Sequence, residues 1–176
     1  MVQRRPSLWR SLDTAARFAW PAAVMLLGLL LIGLPFGLPG QAELRPAYAM
    51  ACVFFWSLYR PSSMPAPIVA LTGIFLDLLG LSPLGLWAVL LLLLQGATLA
   101  SRRRLIPRRF YISWLSFTAG AAFLSLLAWL LQSLLDLTLL PVLPPVMVAF
   151  AAAGLYPALA GLFIRAHRGA AATELA

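Results

Sequence analysis

The feature that most constrains this chain is a succession of apolar runs close to a bilayer crossing in length, separated by prolines and clusters of arginine. Crossing the hydrocarbon core with a helix takes about 20 mostly apolar residues. Against that ruler the chain divides into six candidate spans: Phe18–Leu38, Pro46–Tyr59, Pro65–Leu81, Leu84–Ala100, Phe110–Leu135 and Pro144–Ile164. Composition agrees with this division. Hydrophobic residues make up 62% of the 176 and charged residues 10%, whereas a soluble domain carries about 25% charge. A water-soluble globule could not bury that much apolar surface. The single cysteine, Cys52, excludes a disulfide scaffold, and the aromatic and leucine content excludes disorder. The expected fold is an all-α integral membrane protein. A single six-helix transmembrane domain over 18–164 lies between basic tails at 1–17 and 165–176.

Charge placement tests the count. All 13 basic residues are arginines. With six spans, Arg4, Arg5, Arg10, Arg17, Arg60, Arg102, Arg103, Arg104, Arg108, Arg109, Arg165 and Arg168 fall on one side, and only Arg45 falls on the other. The positive-inside rule then places both termini of this multi-pass chain in the cytoplasm. An odd count would split the clusters. Arginines grouped between apolar runs read as topology signals, so no nucleic-acid partner is expected despite the pI near 11.3. The run preceding Gly40-Gln41-Ala42 is longer than the apolar region of a cleaved signal, so the first span is expected to remain. Spans two and three are short, and Pro61, Pro65 and Pro67 break the chain between them. A helical hairpin turning at the membrane surface is expected there; a re-entrant pair is the alternative.

The spans hold little that could do chemistry. His167 sits in the C-terminal tail, Cys52 reads as a small buried hydrophobe, and no set of His, Asp or Glu has metal-ligand spacing. No phosphate loop or nucleophile elbow is present. The chain is therefore expected not to be an enzyme and to need no cofactor or metal. Asp77 is the exception among the five acids, because it falls inside a span. An ionised Asp at the bilayer centre costs roughly 2.5–3.5 kcal/mol on insertion scales. Ala66, Ala70, Gly73, Asp77 and Gly80 follow helical spacing as one small-residue stripe, so Asp77 is expected to face protein rather than lipid. Arg45 opens span two on the same outer side. The two are expected to form an ion pair or share a hydrogen-bond network.

Span six carries a second small stripe of Ala149, Ala153, Pro157, Ala160 and Gly161, where Pro157 implies a kink or packed irregularity. Close helix packing is the plain reading, and a docking face for another subunit is the other. Gln95, Thr98 and Gln132 are expected to hydrogen-bond between helices. Trp20, Trp56, Trp87 and Trp114 are expected as interfacial anchors. The arginines from Arg102 to Arg109 anchor topology and attract anionic lipid.

Three pieces of the chain have a recognisable spacing: Leu44-Arg-Pro-Ala-Tyr, Phe55-Trp-Ser-Leu-Tyr-Arg-Pro, and Gly73-Ile-Phe-Leu-Asp-Leu-Leu-Gly-Leu-Ser-Pro-Leu-Gly. Together they resemble the rod shape-determining protein MreD family. The matching positions are Arg45, Pro46, Trp56, Pro61, Gly73, Asp77, Ser82, Leu84 and Gly85, with an echo in Gly154-Leu-Tyr-Pro. The detailed match spans residues 44–86. The resemblance implies a small polytopic component of the bacterial elongation machinery that binds MreC. Through MreC it connects MreB filaments to the RodA glycosyltransferase and the elongation transpeptidase that build peptidoglycan. It implies a bundle similar to the substrate-binding S-components of vitamin transporters, and no catalytic activity. One departure is that span five here has no acid, where the family often does.

Two functions follow as expectations. The first is a structural and interaction protein, with Gly73 and Asp77 on span three and Ala153 and Pro157 on span six as the candidate partner-binding faces. The second is a small-solute binder of the S-component kind, with Asp77, Gln132 and Asp136 as candidate pocket residues.

Overall fold

The computed structural model describes residues 8–173 except 36, 38, 81 and 107–109, and side chains within 20–162. Its described regular structure is helical throughout. It comprises α1 (Leu8–Gly33), α2 (Gln41–Tyr59), a 3₁₀ turn (Pro61–Ser63), α3 (Ala66–Gly80), α4 (Leu86–Leu105), α5 (Phe110–Leu135) and α6 (Leu143–Thr173). The six expected segments are six helices, and α5 has the expected bounds. The others shift at their ends. α1 starts well before Phe18 and stops at Gly33, and α2 starts at Gln41 rather than Pro46. This extension makes α2 a 19-residue helix, and the proline-rich break after it is the compact 3₁₀ turn of a hairpin.

The helices alternate in direction. Tyr48 Oη donates to Val24 O, and Arg45 reaches Gly33 O nearer the end of α1, so α1 and α2 run antiparallel. Arg102 Nε donates to Leu58 O, which places the end of α4 beside the end of α2. Arg60 and Arg102–Arg104 therefore share one end of the bundle, and Arg45 lies at the other. The side chains of Arg4, Arg5, Arg10, Arg17, Arg108, Arg109, Arg165, Arg168 and His167 lie outside the described residues, as does that of Asp13.

α2 is the hub. It packs against each of the other five helices, and every residue from Pro46 to Leu58 is buried. A helix apolar on all sides is one that other helices surround. Phe54, Phe117 and Tyr156 join α2, α5 and α6. Phe117 and Tyr156 stack with ring centres 4.7 Å apart, and Phe54 meets Tyr156 edge-on at 5.5 Å. Geometry of this kind adds about 0.5–1.5 kcal/mol per pair beyond area burial.

The periphery is apolar too. Leu27, Leu31, Leu71, Leu78, Phe123 and Phe150 are exposed on four different helices. Two stretches, Phe110–Leu135 and Leu143–Leu162, are long and apolar enough to cross a membrane. Trp20–Gly33 and Ala66–Gly80 are apolar but shorter. α2 carries Gln41, Glu43 and Arg45 in its first turns, and α4 carries Arg102–Arg104 in its last.

Candidate functional site

The residues singled out in the sequence converge on the end of the bundle opposite the described arginine cluster, where α3 turns into α4. Gly73 and Asp77 are four residues apart and share the face of α3 that meets α4. A side-chain carbon at Gly73 would fall inside the van der Waals shell of Ala88 Cα and N. Only glycine lets the two backbones approach so closely at this point. Gly73 is thus a close-packing position between α3 and α4.

One turn further on, Asp77 is fully buried. Its Oδ1 accepts from Ser82 Oγ at 2.9 Å and from Trp87 N at 3.1 Å, and its Oδ2 accepts from Gly85 N at 2.8 Å. The first N–H groups of a helix have no partner within it. Gly85 is the N-cap of α4, with φ +95°, and has no side chain to supply one. Asp77 therefore caps α4 from the neighbouring helix, and its negative charge meets the positive end of the α4 dipole. The αL backbone at position 85 is one that glycine adopts freely. Leu84 beside it points outward and is 72% exposed.

This corrects the expected ion pair. No salt bridge joins Arg45 to Asp77. Arg45 Nη1 instead donates to Leu79 O at 2.9 Å, and Nη2 to Gly33 O at 3.4 Å. These are carbonyls of the last turns of α3 and α1, which lack a helical donor. A guanidinium at a helix C-terminus also faces the negative end of its dipole. Gln41 works alongside, donating from Nε2 to Ile32 O at 2.7 Å and to Leu34 O. The start of α2 thus closes the end of α1. Tyr48, two residues after the buried Pro46, lies across α1 where Gly28 leaves room; a side-chain carbon at Gly28 would run into the Tyr48 hydroxyl and ring.

The same logic recurs at the other end. Arg102 Nε donates to Leu58 O at 2.7 Å, and the buried Gln95 donates from Nε2 to Met64 O at 2.6 Å. Gln95, expected to bond between helices, instead ties α4 to the connection that precedes α3. Thr98 instead bonds within α4, to Leu94 O at 2.7 Å.

Other expected residues fall differently. Ala66 and Gly80 are exposed, so the small stripe on α3 is buried in its middle, at Gly73 and Asp77. Trp56 and Trp87 are buried, at 2% and 8% exposure, and are core residues rather than interfacial anchors. Trp56 lies on α2, which is surrounded, and Trp87 follows the Asp77 cap. Trp20 is exposed as an anchor would be. On α6, Ala153 is half-buried and its carbonyl accepts the Trp114 indole N–H at 2.8 Å. Pro157, Gly154 and Gly161 lie on the exposed side of the helix, and a side-chain carbon at either glycine would meet open space.

A cavity of about 170 Å³ lies near the same end as Asp77, between α4, α5 and the start of α6. Trp87, Trp129, Gln132, Pro141 and Val148 contribute to its wall. Of the three expected pocket residues, Gln132 lines it. Asp77 is spent on the α4 cap, and Asp136 is exposed at the end of α5. Sequence reasoning missed Trp129, whose Nε1 holds Leu140 O at 3.0 Å. The signal was an indole one turn from Gln132 in the fifth span. Compared with protein-family models, curated proteins and solved structures, the chain matches none.

Proposed function

We propose that this chain is a six-span protein of a bacterial inner membrane and a non-enzymatic scaffold of the MreD type. In this reading it binds the single-span protein MreC and helps couple MreB filaments to the elongation glycosyltransferase and transpeptidase. The observation that carries the reading is the use made of Asp77. The one acid expected within the spans has its carboxylate filled by Ser82, Gly85 and Trp87. It is structural, and so is Gly73. Three positions of the resemblance, Asp77, Ser82 and Gly85, are joined in one hydrogen-bonded turn, with Gly73 packed one helical turn before it and Arg45 fastened to the same helix end.

The apolar periphery supports the membrane placement. Soluble monomers rarely expose apolar patches larger than a few hundred Å², while here exposed leucines and phenylalanines stand on helix after helix. Helices too short to cross unaided, such as the 15-residue α3, are accommodated by local thinning of the bilayer and by packing on neighbours. With Gly73 and Asp77 buried against α4, the surface left for a partner helix among the named candidates is on α6, at Pro157 with Gly154 and Gly161. Small residues there let another backbone come close.

Depletion of the chain in its native bacterium tests the role. Rod-shaped cells are expected to widen and round, with recovery on supply of the wild-type chain. Unchanged cell width on full depletion would overturn it. The cavity beside Trp87 and Gln132 favours the second reading, a small-solute binder. Its volume is near that of a cavity that takes one benzene ring, about 150 Å³. Specific binding of a water-soluble vitamin by purified protein would promote that reading.

A further inference from the structure

The segment between α5 and α6 has a property that neither the Asp77 lock nor the scaffold role uses. α5 ends in a Schellman-type turn. Thr138 N donates back to Ser133 O at 3.2 Å, and Leu137 between them holds φ +52°. Glycine is the usual occupant of that position, because a side chain there crowds the backbone. Leu137 is the one described non-glycine residue with positive φ. Its side chain relieves nothing by burial, since it is 88% exposed, and Leu139 is 92% exposed. A strained bulky residue that packs against nothing in its own fold points to a use outside it.

Part of the loop backbone, by contrast, is held from within. Asp136 N donates to Gln132 O at 2.9 Å, and Leu140 N donates to Ser133 Oγ at 3.4 Å. Leu140 O accepts the Trp129 indole N–H at 3.0 Å. Main-chain groups held in this way do not depend on water, which is the condition for backbone near hydrocarbon. No charge occurs from Leu137 to Phe150. The exposed leucines continue the apolar outer face of α5, at Leu130 and Leu134, onto that of α6, at Leu143 and Met147.

We infer that the α5–α6 loop is a lipid anchor: Leu137 and Leu139 insert into the boundary between headgroups and acyl chains on the side opposite Arg102–Arg104. The inference rests on the membrane reading above. Its occupant is lipid rather than protein because the exposed leucines lie between the apolar outer faces of α5 and α6, with the exposed Asp136 and Thr138 as the polar groups left at headgroup level.

Nitroxide labels at Leu137→Cys, Leu139→Cys, Leu126→Cys and Arg103→Cys, each in a Cys52→Ala background, test it. The probes are molecular oxygen and a neutral nickel chelate, read by electron paramagnetic resonance in vesicles of phosphatidylethanolamine and phosphatidylglycerol. Leu126 is exposed in mid-α5 and Arg103 lies at the other end of the bundle. Positions 137 and 139 are expected to favour oxygen over nickel several-fold, as position 126 does, while position 103 favours nickel. A nickel-accessible loop with an oxygen-accessible position 126 would overturn the anchor and leave the membrane reading intact. Nickel access at 126 as well would overturn both. Shielding of the loop from both probes would assign it to a protein partner or a second copy, and overturn the lipid assignment. As a second variant, Leu137→Gly is expected to keep or raise the melting temperature while lowering the oxygen-to-nickel ratio at 139 at least twofold. An unchanged ratio would remove Leu137 from the anchor.

Discussion

The Trp114 indole N–H donates to the carbonyl of Ala153, which is the carbonyl that Pro157 leaves without a backbone donor. Proline lacks the N–H that would bond four residues back. α5 thus repairs from outside the hydrogen bond missing from α6, and the helix continues through Pro157. Proline is tolerated in membrane helices when a neighbour satisfies the freed group in this way.

That relationship is testable as a cycle. Trp114→Phe keeps the ring and removes the donor. It is expected to cost on the order of 0.6–1.7 kcal/mol, the range of interhelical hydrogen bonds in membranes. In a Pro157→Ala background, where position 157 supplies its own N–H, the same change is expected to cost clearly less. Thermal melting in detergent gives both values, and equal costs in the two backgrounds would break the link.

At the α3–α4 turn, Asp77→Ala strips the buried Trp87 N–H and the part-buried Gly85 N–H of their acceptor, which costs about 1–3 kcal/mol for a buried group left unmade. Asp77→Asn keeps an acceptor oxygen and loses the charge, so it is expected to fall between wild type and alanine. Melting temperature and yield after membrane extraction should rank the three in that order.

Because Arg45 and Asp77 bind different backbone groups, exchanging them should rescue nothing. The double variant Arg45→Asp, Asp77→Arg is expected to accumulate no better than the worse of its single variants. Accumulation restored to the wild-type level would show a direct pair after all. In-membrane quantification by immunoblot is sufficient.

Glycine positions give the sharpest steric expectation. Gly73→Ala places a methyl group against the backbone of Ala88, which cannot rotate away, and overpacking of this kind costs about 1–3 kcal/mol. Gly28→Ala meets a side chain, Tyr48, that can move. Pairing Gly28→Ala with Tyr48→Leu should recover part of the loss, while no single side-chain change on α4 should recover Gly73→Ala. Melting temperatures of the four variants check this.

Much of the architecture was legible because hydropathy and helical spacing act locally. The bounds of α5 follow from an uninterrupted apolar run, and the burial of Asp77 follows from its place in the small stripe. The Arg45–Asp77 pairing was not legible. Opposite charges show in a sequence, but unpaired helix ends compete for them, and only the fold shows which ends lie near. Trp56 and Trp87 were misplaced for a related reason. An aromatic near a span end reads as an anchor until its surroundings are known: α2 is enclosed around Trp56, and Trp87 is buried at the α3–α4 turn where its backbone N–H meets Asp77. The Trp129–Leu140 contact required knowing how a seven-residue loop folds back, which no periodicity encodes.

Copurification from the native bacterium in mild detergent, with the accompanying chains identified by mass spectrometry, bears most directly on the proposed role. Recovery of MreC together with the elongation glycosyltransferase and transpeptidase is the expected result. Recovery of ATPase subunits with a transmembrane coupling protein, and no MreC, would contradict it and make the chain the binding subunit of a transporter.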